Sequence, residues 1–139
     1  MMSRVRGRDT KPEMTVRRGL HALGFRFRLH GRNLPGTPDL IFPRHRAVIF
    51  VHGCFWHGHD CPLFRLPGTR TEFWDSKISR NRVRDAETVL ALETSGWRVG
   101  TVWECAIRGR LRMPVEAMLL ACRDWLDEGN GSMEIRGGT

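Results

Sequence analysis

One stretch of the sequence constrains the fold more than any other, because an apolar run leads directly into a loop of metal-binding side chains. The run Ala47-Val-Ile-Phe-Val51 is continuous and mostly β-branched, which is typical of a strand buried on both faces. The loop His52-Gly-Cys-Phe-Trp-His-Gly-His-Asp-Cys61 follows it and holds five candidate metal ligands in ten residues. The sequence therefore predicts a central strand whose carboxyl end carries a metal site.

The ligand types in this loop favour a structural zinc ion, which takes four thiolate or imidazole ligands in a tetrahedron. Cys54, His59 and Cys61 can converge from one tight loop, and Cys105 can supply the fourth ligand if its strand lies beside the central one. The alternative is a pair of buried free cysteines with incidental surface histidines. Spacing alone leaves open whether His57 or His59 takes the metal.

Hydrophobic periodicity and capping signals predict one domain over residues 1–128 and a loose tail over 129–139. The Thr10-Lys-Pro-Glu13 sequence has the form of a helix capping box. Cys122 is expected to be a core thiol on the last helix. The predicted elements are a helix over 11–22, strands over 25–29, 39–42 and 47–51, a helix over 71–95, a strand over 97–103 and a helix over 114–127. This order predicts an α/β fold in which helices flank a mixed sheet.

The charge is concentrated at one end of the chain. Residues 1–46 hold eleven basic and three acidic side chains, whereas residues 47–139 hold twelve of each. Arginine dominates and suits phosphate contacts, so we expect a nucleic-acid partner, with Arg4 and Arg8 among the phosphate contacts. A merely solubilising surface is the alternative. With no long apolar run and no export signal, we expect a cytoplasmic protein that does not enter a membrane and has no disulfide framework.

A catalytic layout is visible around Pro38-Asp39, an acid that opens a strand shortly before the central strand. This is the arrangement of the PD-(D/E)xK nuclease core. However, the next strand reads Phe50-Val-His-Gly53 and lacks the Glu-x-Lys pattern. The generic match is therefore broken at the position that matters for metal binding.

The sequence also contains longer motifs around the position where the Glu-x-Lys pattern is missing. Together they resemble the very-short-patch (Vsr) mismatch endonuclease family from about residue 3 to residue 126. They are Arg8-Asp-Thr-Lys-Pro-Glu13, Pro35-Gly-Thr-Pro-Asp39, Val48 to His57, Thr69-Arg-Thr-Glu-Phe-Trp74 with Lys77, Asn81 and Arg84-Asp85, Gly96-Trp-Arg-Val99 and Val102-Trp-Glu-Cys105. The resemblance implies a PD-(D/E)xK restriction-endonuclease-like mixed sheet flanked by helices, with a structural zinc site.

The same resemblance implies an activity, namely a Mg²⁺-dependent nick in one DNA strand, 5′ to the thymine of a T·G mismatch left by deamination of 5-methylcytosine. The partner is then double-stranded DNA, with possible accessory repair proteins. A monomer is expected, since the mismatch is asymmetric. Two alternatives stay open: a nuclease of the same fold with another DNA target, and a zinc-stabilised DNA-binding module without catalysis.

The resemblance also implies roles for individual residues. Asp39 resembles the carboxylate ligand of magnesium, and the main-chain carbonyl of Val51 the second ligand. His57 resembles the general base, oriented by Asp85. The remaining roles are the holding of metal-bound waters by Glu13 and His52, zinc binding by Cys54, His59, Cys61 and Cys105, and a wedge into the base stack made by Phe55, Trp56 and Trp74.

Some of these residues also have simpler explanations. Glu13 could be only a helix cap, and Asp85 could belong to a surface ion pair. Phe55 and Trp56 could be buried beneath the metal rather than inserted into DNA. Trp97 and Trp103 alternate along a strand and are expected in the core rather than in the wedge.

Overall fold

The computed structural model describes residues 10–138 of the chain, and Arg4 and Arg8 therefore lie outside the described residues. Within these residues, three α-helices and five β-strands follow one another in the order α-β-β-β-α-β-α-β. The elements are α1 (Lys11–Ala22), β1 (Arg28–Leu29), β2 (Leu40–Phe42), β3 (Ala47–His52), α2 (Thr71–Thr94), β4 (Arg98–Trp103), α3 (Val115–Glu128) and β5 (Met133–Ile135). Short 3₁₀ turns follow β2 at Pro43–His45 and β4 at Glu104–Ala106.

Helix α1 begins where the capping signal predicts. The Thr10 hydroxyl accepts a hydrogen bond from the Glu13 main-chain N–H at 3.3 Å, and Pro12 occupies the first turn, where its missing N–H costs nothing. Val16 and Leu20 are fully buried on the inner face. The predicted helix over 11–22 is confirmed.

The five strands form one mixed sheet in the order β1-β2-β3-β4-β5. The first three strands pair antiparallel, while β4 runs parallel to both β3 and β5. Helix α2 makes the crossover between β3 and β4, as a parallel pair requires. Val51 pairs with Val102 and His52 with Trp103, so the carboxyl ends of β3 and β4 lie side by side.

Strand β3 is buried on both faces, as its apolar run predicts. Ala47 and Ile49 belong to the core that includes residues of α1 and α3. Val48 and Phe50 belong to a second core that includes Leu92 of α2. The central strand therefore has a hydrophobic layer on each side, and its end emerges from a well-packed interior.

Two predicted boundaries change. The strand predicted over 25–29 pairs only at Arg28–Leu29, although Phe25 and Phe27 still turn inward and contact Phe42 with ring centroids 6.2 Å and 5.4 Å apart. The loose tail over 129–139 is wrong for Met133–Ile135, which adds a parallel edge strand to β4. A three-residue strand shows too little periodicity to be found from sequence.

The prediction that Cys122 is a core thiol is confirmed. Cys122 is fully buried on α3, and its burial raises the pKa of the thiol to about 12. All four cysteines are free thiols.

Over residues 10–138, the helices lack the length and apolarity that a membrane span requires.

We expect Leu20→Ala to lower the free energy of unfolding by about 2–5 kcal/mol, because it empties a fully buried position between α1 and the sheet. Leu90→Ala is the matched control, since that leucine is 66% exposed on α2 and should change stability by less than about 0.5 kcal/mol. Chemical denaturation of both variants measures the difference. Equal losses would contradict the assignment of Leu20 to the core.

Candidate active site and metal centre

The loop after β3 and the turn after β4 bring four metal-binding side chains together. The candidate metal centre, called the metal centre below, consists of Cys54, His59, Cys61 and Cys105, whose potential ligand atoms all lie within 4.8 Å of one another. Cys54, His59 and Cys105 are buried, and Cys61 is half-buried. The prediction that the parallel strands bring Cys105 to the loop is confirmed.

The spacing of these atoms suits a tetrahedral ion. His59 Nδ1 lies 3.6 Å from both the Cys54 and the Cys105 sulfur. A tetrahedron with zinc–sulfur bonds of about 2.3 Å and zinc–nitrogen bonds of about 2.1 Å needs a nitrogen–sulfur edge of about 3.6 Å. Burial raises the pKa of the Cys54 and Cys105 thiols, so a bound cation is what would favour their thiolate forms. The donor set therefore fits zinc.

Helix α2 fixes the loop that supplies these ligands. Arg82 donates through Nε to the Gly58 carbonyl at 3.1 Å and also through its Nη2, while Asn81 donates to the Trp56 carbonyl at 2.9 Å. Gly58 has φ of +60°, and a Cβ there would lie 2.6 Å from Ile78 Cγ2. Only glycine suits this close, left-handed turn.

His57 does not join the metal centre and instead faces Asp85. Its Nδ1 lies 2.6 Å from Asp85 Oδ2, a contact that joins the loop to α2. Since Nδ1–H donates to the carboxylate, Nε2 is the nitrogen that can accept a proton. The structure places His59 beside the cysteines and pairs His57 with the acid, and metal binding by His59 stays a prediction.

His52 stacks on His57 with ring centroids 3.7 Å apart and planes 18° apart. Burial and then the nearby His57 lower the pKa of His52 to about 3, which keeps this ring neutral. A neutral partner avoids the repulsion of two stacked cations when His57 takes up a proton.

A second group of polar side chains lies at the start of β2. Glu13, His30 and Asp39 bring their ligand atoms within 4.8 Å of one another. Asp39 accepts a hydrogen bond from the Val51 N–H at 2.7 Å, and Glu13 contacts His30 at 2.8 Å and Arg17 at 3.0 Å. His30 was missed by sequence reasoning, because a lone histidine in a loop matches no motif.

The electrostatics of this group suit a cation. Burial raises the pKa of Asp39 to about 7, with neighbouring Glu13 adding to the effect and the Val51 hydrogen bond opposing it. A divalent cation would reverse that penalty by stabilising the charged carboxylate. Oxygen ligands from Asp39 and from the adjacent main chain are those that magnesium prefers. The role predicted for the Val51 carbonyl stays a prediction.

The predicted wedge residues form one aromatic cluster. Phe55, Trp56 and Trp74 contact one another with ring centroids 5.1 Å to 5.8 Å apart. Phe73, which sequence reasoning missed, is 43% exposed and joins the cluster through Trp74, while the Arg70 guanidinium lies 4.4 Å from the Phe73 ring centroid. The sequence signal that could have identified Phe73 is its position directly before Trp74.

A cleft of about 1010 Å³ connects the histidine pair His52–His57 with the aromatic cluster. The histidine pair and the aromatic cluster line it, together with the amino end of α1 and several cations. The cationic lining residues are Lys11, Arg70, Lys77 and Arg108. The half-buried Phe55 and Trp56 thus face an open, basic cleft rather than lying wholly beneath the metal centre.

Trp103 has a different position from the one expected. It is half-buried, and its ring stacks on His59 with centroids 3.9 Å apart and planes 9° apart. Trp97 is also half-buried, with the Arg46 guanidinium 4.5 Å from its ring centroid. Neither tryptophan lines the cleft, but neither is fully in the core.

Comparison with known proteins gives a consistent family. Residues 1–63 match the family model described as DNA mismatch endonuclease Vsr. The chain is 43% identical over 134 residues to the DNA mismatch endonuclease Vsr of Escherichia coli K12, covering 96% of this chain and 86% of that protein.

Other relatives are named as nicking enzymes. The type II nicking enzyme V.XorIIP of Xanthomonas oryzae is 51% identical over 118 residues, covering 81% of this chain and 87% of that protein. V.NmeAIP of Neisseria meningitidis, also named a type II nicking enzyme, is 38% identical over 110 residues, with 79% of each chain covered.

The two loop histidines should respond differently to substitution. We expect His59→Ala to lose the bound metal and to unfold at a lower temperature, because one of four ligands is removed. His57→Ala should retain the metal, because its ring faces Asp85 instead. Metal analysis of the two purified proteins measures this, and a metal-free His57→Ala beside a metal-bound His59→Ala would reverse the assignment.

Proposed function

We propose that this chain, which belongs to the Vsr family of DNA mismatch endonucleases, nicks one strand of duplex DNA 5′ to the thymine of a T·G mismatch. Such mismatches arise when 5-methylcytosine deaminates. The observation that carries the proposal is that His57, which is paired with Asp85, lines the same cleft as the aromatic cluster. The reaction needs a general base that removes a proton from the attacking water. It also needs an aromatic surface that contacts the unstacked bases beside the mismatch.

His57 is the general base of the proposed reaction. Asp85 accepts the Nδ1–H hydrogen bond, fixes the tautomer and stabilises the imidazolium after proton uptake. Nε2 then takes the proton from the attacking water. The neutral ring of His52 supports His57 from the side without opposing its positive charge.

Asp39 and the Val51 carbonyl would hold the catalytic magnesium, and Glu13 and His52 would orient its waters. When bound, magnesium supplies charge stabilisation at the scissile phosphate and acidifies the attacking water. The chain itself prepares this position, since the Val51 N–H fixes the Asp39 carboxylate and the contacts from His30 and Arg17 fix Glu13.

The aromatic cluster is the proposed wedge. Phe55, Trp56 and Trp74 would enter the base stack beside the mismatch, which costs a few kcal/mol and costs least at a weakened pair. The cations of the cleft and the basic first part of the chain would bind the phosphates. The protein would thus recognise the mismatch mainly because the bases beside it unstack easily. The phosphate contacts would position the protein on the DNA.

Zinc is the proposed occupant of the metal centre, and its role would be structural. Cys54, His59 and Cys61 come from the loop that also carries His57, and Cys105 comes from the turn after β4. A bound ion would join the ends of the two parallel strands and hold the general base in place. Structural zinc sites are closed by four protein ligands, which these four side chains would supply.

The cellular setting is also part of the proposal. We expect a monomer that works in the cytoplasm on nucleoid DNA, because one asymmetric mismatch calls for one nick rather than the paired cuts of a symmetric dimer. The proposal also includes accessory repair proteins as partners.

A second candidate function is a nuclease of the same fold with another DNA target. The relatives named as type II nicking enzymes favour it, since V.XorIIP is 51% identical over 118 residues. A DNA-binding module without catalysis is disfavoured, because the His57–Asp85 pair and the Asp39 group are both present.

A nicking assay separates these functions. Duplexes that contain T·G, A·C, G·G or only matched pairs are incubated with the purified protein and magnesium, and the cut strand and position are read on a denaturing gel. We expect a single nick 5′ to the mispaired thymine. Equal cutting of matched DNA would favour the second candidate, and binding without cutting would favour the non-catalytic module.

Asp39→Asn should abolish nicking while the protein stays folded and still binds DNA, because the amide cannot supply the anionic ligand. Asp124→Asn is the control, since that acid is exposed on α3 next to Arg123 and should leave the rate unchanged. Single-turnover nicking rates and circular dichroism measure the two effects. Parent-like cutting by Asp39→Asn would remove this residue from the mechanism.

Trp56→Ala should lower the preference for T·G over matched DNA, because it removes part of the wedge, while the salt dependence of binding stays close to the parent's. Arg8→Ala should give the opposite pattern, with a shallower salt dependence and an unchanged preference. Affinities for matched and T·G duplexes across a salt series measure both. Full mismatch preference in Trp56→Ala would exclude that ring from the wedge.

A further inference from the structure

The last part of the chain returns to the metal centre, although its sequence gives no sign of metal chemistry. Strand β5 pairs with β4, the strand that precedes Cys105. Ile135 is buried, which anchors the strand in the core of α1 and α3. From this anchor, Glu134, Arg136 and Gly137 each reach the metal centre by a separate route.

The first route runs through Trp103. The Glu134 carboxylate accepts a hydrogen bond from the indole Nε1–H of Trp103 at 2.7 Å. The same indole lies flat against the His59 ring, with planes only 9° apart. Glu134 therefore holds the ring that covers one face of the metal-binding imidazole.

The second route runs through Asp60, the residue after His59. Arg136 donates to the Asp60 carboxylate and to the Asp60 main-chain carbonyl, each at 2.8 Å. That carboxylate lies 3.7 Å from His59 Nε2, the ring nitrogen that faces away from the sulfurs. Within residues 10–138, this buried Nε2 has no hydrogen-bond partner.

A carboxylate at this position suits a metal-binding histidine. Ligating histidines usually direct their second nitrogen at an acid or a carbonyl, which fixes the tautomer and the ring orientation. The two hydrogen bonds from Arg136 hold Asp60 where only a small shift would complete that contact.

The third route is direct. The Gly137 main-chain N–H donates to the Cys105 sulfur at 3.3 Å. A Cβ at Gly137 would lie 2.5 Å from the Cys105 carbonyl oxygen and 2.8 Å from the Leu111 carbonyl oxygen, both of which are main-chain atoms. The close approach of the tail to the ligand therefore requires glycine at this position.

We propose that residues 133–138 form a C-terminal clasp, which completes the outer shell of the metal centre and slows release of the ion. The clasp holds two of the four ligands: His59 through Trp103 and Asp60, and Cys105 through the Gly137 N–H. The inference rests on the assignment of zinc under the proposed function, and it is independent of nicking.

The test compares two clasp variants with two matched controls in the full-length, zinc-loaded protein. Gly137→Ala introduces the clash with the main chain, whereas Gly138→Ala adds a Cβ that meets nothing closer than 4.0 Å. Arg136→Ala breaks the contact with Asp60, whereas Arg123→Ala breaks a comparable surface pair with Asp124.

Zinc affinity is measured by competition with a chromogenic chelator, and zinc release is followed after the chelator is added in excess. We expect Gly137→Ala and Arg136→Ala to weaken zinc binding roughly tenfold to a hundredfold and to release zinc faster. Both controls should match the parent. Circular dichroism before the chelator is added checks that each protein is folded.

Parent-like affinity and release in Arg136→Ala together with Gly137→Ala would overturn the clasp. If Gly137→Ala does not fold, Arg136→Ala decides alone, because its side chain is 41% exposed and its loss leaves the core intact. A parent protein that binds no zinc would overturn both the clasp and the zinc assignment. Nicking is assayed separately, so a failure of the nuclease proposal is distinguished from a failure of the clasp.

Discussion

The parallel pairing of β3 with β4 is the constraint on which the rest of the structure depends. Two parallel strands end at the same edge of the sheet, and the register places His52 beside Trp103. Cys54 and Cys105 follow these two strand ends and therefore lie close together. The crossover that parallel strands require is helix α2, and that helix supplies Asp85, the partner of His57.

Much of this arrangement could be predicted, because local signals and topology agree. The cap at Thr10 and the apolar face around Val16 identify α1, and an apolar run at 47–51 identifies a strand with a layer on each side. A long helix between two such strands predicts that they are parallel. Once they are parallel, the meeting of Cys105 with the loop follows from the order of residues.

The features that could not be predicted depend on contacts between segments that carry no signal of their own. One partner of Glu13 is His30, a residue held at φ of +50° in a loop, 17 positions away in sequence. Strand β5 is too short to show an alternating pattern, and it is defined by its pairing with β4. Spacing could not separate His57 from His59, because what distinguishes them is Asp85 beside the first and the sulfurs of Cys54 and Cys105 beside the second.

The loop also explains why the structural and the chemical parts of the site belong together. The main-chain N–H of His59 donates to the Cys54 carbonyl at 2.9 Å, and the main-chain N–H of His57 donates to the Gly53 carbonyl at 3.3 Å. His59 therefore faces the sulfurs, whereas His57, two residues before it in the same loop, faces Asp85. A loop without apolar periodicity would otherwise sample many conformations, whereas the general base that we propose for His57 needs one. The four side chains of the metal centre are fixed from three directions, by β4, by α2 and by the tail. The orientation of His57 therefore follows from the packing around these side chains as well as from its own contact with Asp85.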